Sequence, residues 1–156
     1  VNYYFALKIV HIVSATVLFG TGLGIAFFKW VTDRSRDAAA VAVVAEKVVL
    51  ADWLFTTPAI LVQALSGFAL ARLLHLSVLH GWLACSVLLF CVAGLCWLPV
   101  VWLQLRMRDL ARGARRAGRT LGPEYWGYAK IWFWLGVPAF SALLVVFWLM
   151  VAKPAI

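Results

Sequence analysis

The chain has 156 residues, 65% of them apolar, and 14 Lys and Arg against 6 Asp and Glu give a formal net charge of +8. Soluble domains are roughly half apolar. A water-soluble fold of this length has too little interior to hide the remainder, so hydrocarbon is the solvent implied. The cationic surplus does not point to nucleic acid, because Arg106, Arg108, Arg112, Arg115, Arg116 and Arg119 form one cluster between two apolar runs. That placement is the pattern of a cytoplasmic loop.

The first apolar run extends from about Tyr3 to Trp30, longer than the ~20 residues a bilayer core requires. It is too long for the hydrophobic region of a signal peptide and is read as a retained helix. Lys8 and Lys29 lie near its ends, where both can snorkel to the interfaces. Residues 31–37 are polar, and Asp33, Ser35 and Asp37 are candidate helix N-caps. The Ala/Val-rich stretch from Ala38 to Leu50 carries Glu46 and Lys47 and has no Gly or Pro. It reads as a cytoplasmic extension of the second span, which covers about 52–74 with Pro58 in its first turns. His75, His80 and Gly81 mark a short connection. A third span follows over about 82–105, with Pro99 inside it. The Arg-rich loop is expected over 106–125, ending at Gly122-Pro123. The fourth span, about 126–151, contains Gly136 and Pro138 and closes at Lys153.

These runs predict an all-α integral membrane four-helix bundle forming one transmembrane domain, with antiparallel neighbours. The connections after spans one and three carry Lys29, Arg34, Arg36, Lys47, Lys130 and the six clustered arginines. The opposite side has Lys8, Arg72 and Lys153. The positive-inside rule therefore places both termini outward and two loops in the cytoplasm of a bacterial inner membrane. Most of the nine Trp fall near span ends, as aromatic belts do, while Trp97 and Trp134 are deeper and expected between helices.

Gly20, Gly22 and Gly24 lie inside a helix rather than after a strand, so they are not a dinucleotide fingerprint. Gly20 and Gly24, four apart, read as a small-residue packing face extended by Ala15 and Thr16, within the bundle or against a second copy or partner subunit. Cys85, Cys91 and Cys96 share one span and read as small core residues, and Met107 and Met150 alone make no copper-transfer ladder. Asp52 reads as a helix cap or a partner for cytoplasmic Arg, and Gln63 as an interhelical hydrogen-bonding group with Ser66 nearby. No hydrolytic constellation is visible, and the catalytic residues are unknown.

His11 is the most informative position. An ionisable group at membrane depth usually faces the bundle interior. Two readings are open: a neutral histidine bonded to a backbone carbonyl or to Ser14, and a proton carrier or axial ligand to haem iron. His75 and His80 share its side of the membrane. They are interfacial loop residues or the source of a second ligand. Lys8 is one turn from His11 and either snorkels or pairs with an anion such as a propionate.

The stretches Leu7-Lys8-Ile9-Val10-His11-Ile12-Val13-Ser14-Ala15, Leu18-Phe19-Gly20-Thr21-Gly22, Ala51-Asp52-Trp53-Leu54-Phe55-Thr56-Thr57-Pro58-Ala59 and Tyr125-Trp126-Gly127-Tyr128 resemble a bacterial family of small integral membrane proteins described only as a domain of unknown function. The start of span one is also distantly similar to the haem-binding membrane protoporphyrinogen oxidase family and to the copper-resistance membrane domain. The oxidase resemblance carries over to His11, with Lys8 a weaker match. With the three histidines on one side of the membrane, the leading reading is a small membrane haem-b-binding or redox-associated protein, with haem b in the outward half of the bundle, His11 as one iron ligand and His75 or His80 as the other. The alternative is a membrane scaffold or accessory subunit that packs through its glycine faces.

Overall fold

In the computed structural model, which describes residues 2–155, the chain is all-helical. Helix α1 spans Tyr3–Ser35 and α2 spans Ala38–Ala51. A π-helical turn, Asp52–Thr56, leads directly into α3, Thr57–Leu73. Helix α4 spans Gly81–Arg116 and α5 spans Pro123–Ala152. By length and composition α1, α4 and α5 can each cross a membrane. The second apolar stretch belongs to one unbroken right-handed run from Ala38 to Leu73, since Ala51, Asp52, Thr56 and Thr57 all keep right-handed helical angles. Pro58 explains the π turn. Proline has no N–H, and its ring crowds the carbonyl four residues back. A widened turn just upstream gives that ring room.

The junction between α1 and α2 is only two residues long. Arg36 adopts φ 55°, its N–H bonding to the Asp33 carbonyl at 3.2 Å, and Asp37 caps α2 by accepting from the Ala39 N–H at 2.8 Å. The Arg-rich stretch departs from expectation. Residues 106–116 are helix rather than loop, and the connection shrinks to residues 117–122. Arg, Leu, Met and Ala are strong helix formers. Leu103, Met107 and Ala111 recur at helical spacing and bury against Val41 and Ala42 of α2 and Leu121 and Tyr125. The stretch is thus an amphipathic helix end, apolar toward its neighbours and cationic outward.

Those seven residues form the main core, at the end where the 36–37 and 117–122 connections meet. Toward the other end the helices pair differently. There α4 packs along α5, α1 packs along α3, and α3 scarcely meets α4 or α5. Phe19 bridges the pairs edge-to-face with Phe140 and Phe147, at ring distances of 5.5 and 5.3 Å. Gly22 permits this, since a Cβ there would lie 3.1 Å from the Phe140 ring. Gly20 and Gly24 face open space, so the Gly20–Gly24 face makes no close helix contact among the described residues. Two other expectations change. Trp134 is exposed and Trp132 turns inward instead, while Cys85 and Cys91 lie on the outer surface rather than in the core.

Candidate functional site

Three polar clusters lie inside the bundle. The first joins α1 to α3 around His11. The imidazole Nδ1 lies 2.9 Å from Ser66 Oγ and Nε2 lies 3.1 Å from Gln63 Nε2. An amide N–H can only donate, so Nε2 accepts and Nδ1 carries the proton toward Ser66. Ser66 Oγ passes its own proton to the Val62 carbonyl at 2.6 Å. Ser14 Oγ lies within donating distance of Gln63 Oε1, at 2.5 Å, and of the His11 carbonyl, at 2.9 Å. The ring rests on Gly67, where an added Cβ would come within 2.9 Å of His11 Cε1. Glycine at this position of α3 lets the imidazole lie directly on the helix, and any side chain there would make the ring shift.

The other residues expected with His11 are elsewhere. Lys8 is exposed, with its ammonium 5.6 Å from the Tyr4 ring centre. His75 and His80 are exposed in the α3–α4 connection, where His75 takes φ 53° to end α3. His11 packs at the level of Gly67, and His75 lies eight residues beyond, about 12 Å at the helical rise. A bis-histidine haem needs two imidazoles turned to one iron. Here one imidazole has both nitrogens occupied by Ser66 and Gln63, and the others lie outside the bundle. These residues, as arranged, do not fit that cofactor.

The second cluster is centred on Asp52, in the π turn. The residue is 6% exposed, and among the described residues its Oδ2 has no hydrogen-bond partner. Thr56 and Gln104, both buried, lie beside the carboxylate, and Thr56 Oγ1 is also without a partner. Asp52 is therefore neither a helix cap nor an ion-pair partner of the clustered arginines. A π turn shifts the side chains that follow it by an extra residue, and such turns frequently mark functional positions. An unpartnered buried carboxylate oxygen is expensive.

The third cluster closes on itself. Lys29, 3% exposed, donates to Asp33 Oδ2 and, at 3.2 Å, to Tyr125 Oη. Tyr125 Oη in turn donates to Asp33 Oδ1 at 2.6 Å. The ammonium also lies 5.2 and 5.1 Å from the ring centres of Tyr125 and Trp132. Lys29 thus does not snorkel to water. It is neutralised in place, as a buried charge must be. The i, i+4 spacing of Lys29 and Asp33 was the one sequence sign of this pairing. The closing partner, Tyr125, comes from another helix.

The profile described as "Predicted integral membrane protein (DUF2269)" matches residues 5–154, and the chain belongs to that family. No curated protein and no solved structure matches it.

Proposed function

We propose that the protein handles protons within the membrane, with Asp52 as the group that takes up and releases a proton and His11 as the exchanging group nearer the chain termini. The observation that carries this reading is the orphaned Oδ2 of Asp52 beside the orphaned Oγ1 of Thr56. A carboxylic acid has a proton to donate to Thr56 or Gln104, which a carboxylate lacks. Ionisable residues inside membrane helices commonly mark ion pathways and proton relays.

His11 suits the second role because its partners satisfy it in either charge state. With the Gln63 amide turned over, Oε1 accepts from a protonated Nε2 and the amide N–H donates to Ser14, which then donates to the His11 carbonyl. Nδ1–H keeps Ser66 throughout. Depths support an ordered arrangement. Asp52 lies eleven residues before Gln63 on the same helical run, about 16 Å, and His11 lies about 27 Å from Lys29 along α1. The latter span is close to the ~30 Å of a bilayer core. By the positive-inside rule the Arg-rich end faces the cytoplasm of a bacterial inner membrane, with His11 in the outward half.

The test is proton flux into vesicles containing a pH-sensitive dye, driven by a potassium diffusion potential. Wild type should acidify the lumen faster than protein-free vesicles, Asp52→Asn should abolish the excess, and His11→Asn should reduce it. Infrared spectra should also show a protonated-carboxyl band that Asp52→Asn removes. Flux unchanged in Asp52→Asn, or no excess over empty vesicles, overturns the reading. A Soret band lost in His11→Ala would replace it with haem b ligation.

A further inference from the structure

We infer that the cleft between the end of α1 and the start of α5 binds the headgroup of an anionic phospholipid. The cleft holds about 480 Å³ and is lined by Trp30, Asp33, Arg34, Arg36 and Trp126. Both cations are held in place on aromatic faces. The Arg34 guanidinium lies 4.2 Å from the Trp30 ring centre and that of Arg36 lies 5.6 Å from Trp126. Asp33 does not neutralise them, because its two oxygens are taken by Lys29 and Tyr125. Among the described residues neither Arg34 nor Arg36 has a carboxylate within ion-pair distance. The cleft therefore presents two uncompensated guanidinium groups, the donor set that phosphate oxygens match.

Two features select a lipid rather than a free phosphate. Trp is the residue of the headgroup level. Directly beside Trp30, α1 exposes Phe27, Phe28 and Val31, an apolar surface on which acyl chains can lie below a bound headgroup. The neighbouring cleft, lined by Glu46, Arg112, Arg115 and Arg116, is unlike this one. It carries its own counter-ion, with Arg112 Nε 2.7 Å from Glu46 Oε1. Basic pockets between membrane helices are a recognised way of holding anionic headgroups.

The purified full chain should retain phosphatidylglycerol through detergent exchange in preference to phosphatidylcholine, as counted by native mass spectrometry. The double variant Arg34→Gln/Arg36→Gln should weaken that retention by roughly twentyfold or more, about fivefold per cation near an anionic surface. Arg115→Gln/Arg116→Gln serves as the charge-matched control and should keep most of it, because the cleft those residues line already holds the Glu46 carboxylate. Glycerol phosphate, which lacks acyl chains, should not displace the lipid. Equal loss in both double variants, or none in the first, overturns the assignment to this cleft. Displacement by glycerol phosphate overturns the lipid as its ligand. Proton flux through Asp52 is a separate readout, so failure of either proposal leaves the other standing.

Discussion

The two ends of the bundle are held by different forces. At the Arg-rich end, Val41, Ala42, Leu103, Met107, Ala111, Leu121 and Tyr125 make an apolar core of the kind found in water-soluble helical proteins. At the other end most buried side chains are small or polar, such as Ser14, Ala59, Ser66, Ala71 and Ser86, with Val146 and Leu149 of α5 the larger exceptions, and α1 meets α3 through the hydrogen bonds of His11. The difference follows from the solvent. Where α2 packs on the end of α4, their apolar stripes close on one another, the kind of contact that water drives. Within lipid that drive vanishes, and close approach, hydrogen bonds and aromatic contacts remain.

The largest effect is expected where a charge is buried at the boundary between these regimes. Asp33→Asn leaves the Lys29 ammonium enclosed without its counter-ion, which should destabilise the fold by about 3–5 kcal/mol. Lys29→Met/Asp33→Asn should recover most of that loss, since removing both charges is often nearly neutral. Thermal unfolding in detergent micelles measures both. A single variant as stable as wild type would show that the cluster does not tie α1 to α5.

The next largest effect tests the apolar core directly. Met107 is 1% exposed among Val41, Ala111 and Tyr125. Met107→Ala should lower stability by about 2–5 kcal/mol through lost transfer energy and the cavity left behind. Leu88→Ala, at an exposed position within the α4 span, should change it little. A comparable loss at both sites would erase the distinction between the two ends.

A smaller loss is expected at the polar end. Gly67→Ala places a Cβ 2.9 Å from His11 Cε1, so the ring must move away from Ser66 and Gln63. Interhelical hydrogen bonds in membranes average about 0.6 kcal/mol, so two of them give a penalty near 1 kcal/mol. Gly24→Ala meets nothing within 4 Å and should show no such loss. Comparing the two variants' unfolding midpoints isolates the imidazole contact from the general effect of removing a glycine.

What the sequence made legible follows the same division. Long apolar runs announce α1, α4 and α5 because lipid demands uninterrupted apolar length, and the extension through Ala38–Leu50 follows from the lack of Gly or Pro. The helical state of residues 106–116 was hidden because charge density alone reads as a loop. The apolar stripe of Leu103, Met107 and Ala111 acquires meaning only against α2 and α5. Lys29 stands near a span end, where snorkelling is the ordinary expectation. Its burial depends on Tyr125, 96 positions away. His11 was recognisable as an ionisable group at membrane depth but not by the direction it faces, and its partners Gln63 and Ser66 as polar residues of another span. Their meeting is a matter of helix register, which no local pattern encodes. Asp52 was visible as an acid at the start of a span, but the π turn that buries it arises from Pro58 acting on the turn before it.

The smallest effect concerns the outer rim of the Arg-rich end, where Glu46 of α2 meets Arg112 of α4. The hydrogen bond from Arg112 holds the Glu46 carboxyl below its usual range, with the charges of Arg112, Arg115 and Lys47 adding to it. A carboxylate whose folded pKa is depressed contributes stability in full above its unfolded pKa, about 4.3 for glutamate. That contribution fades as the pH falls through the lower folded value. The difference in unfolding midpoint between wild type and Glu46→Gln should therefore be present and flat from neutral pH down to about pH 5, then shrink toward zero in stronger acid. High salt should shrink it as well, because the pair is open to water and screened. A difference that persists unchanged in acid would mean Glu46 acts through packing rather than charge, and would extend the apolar core to the rim of the α2–α4 contact.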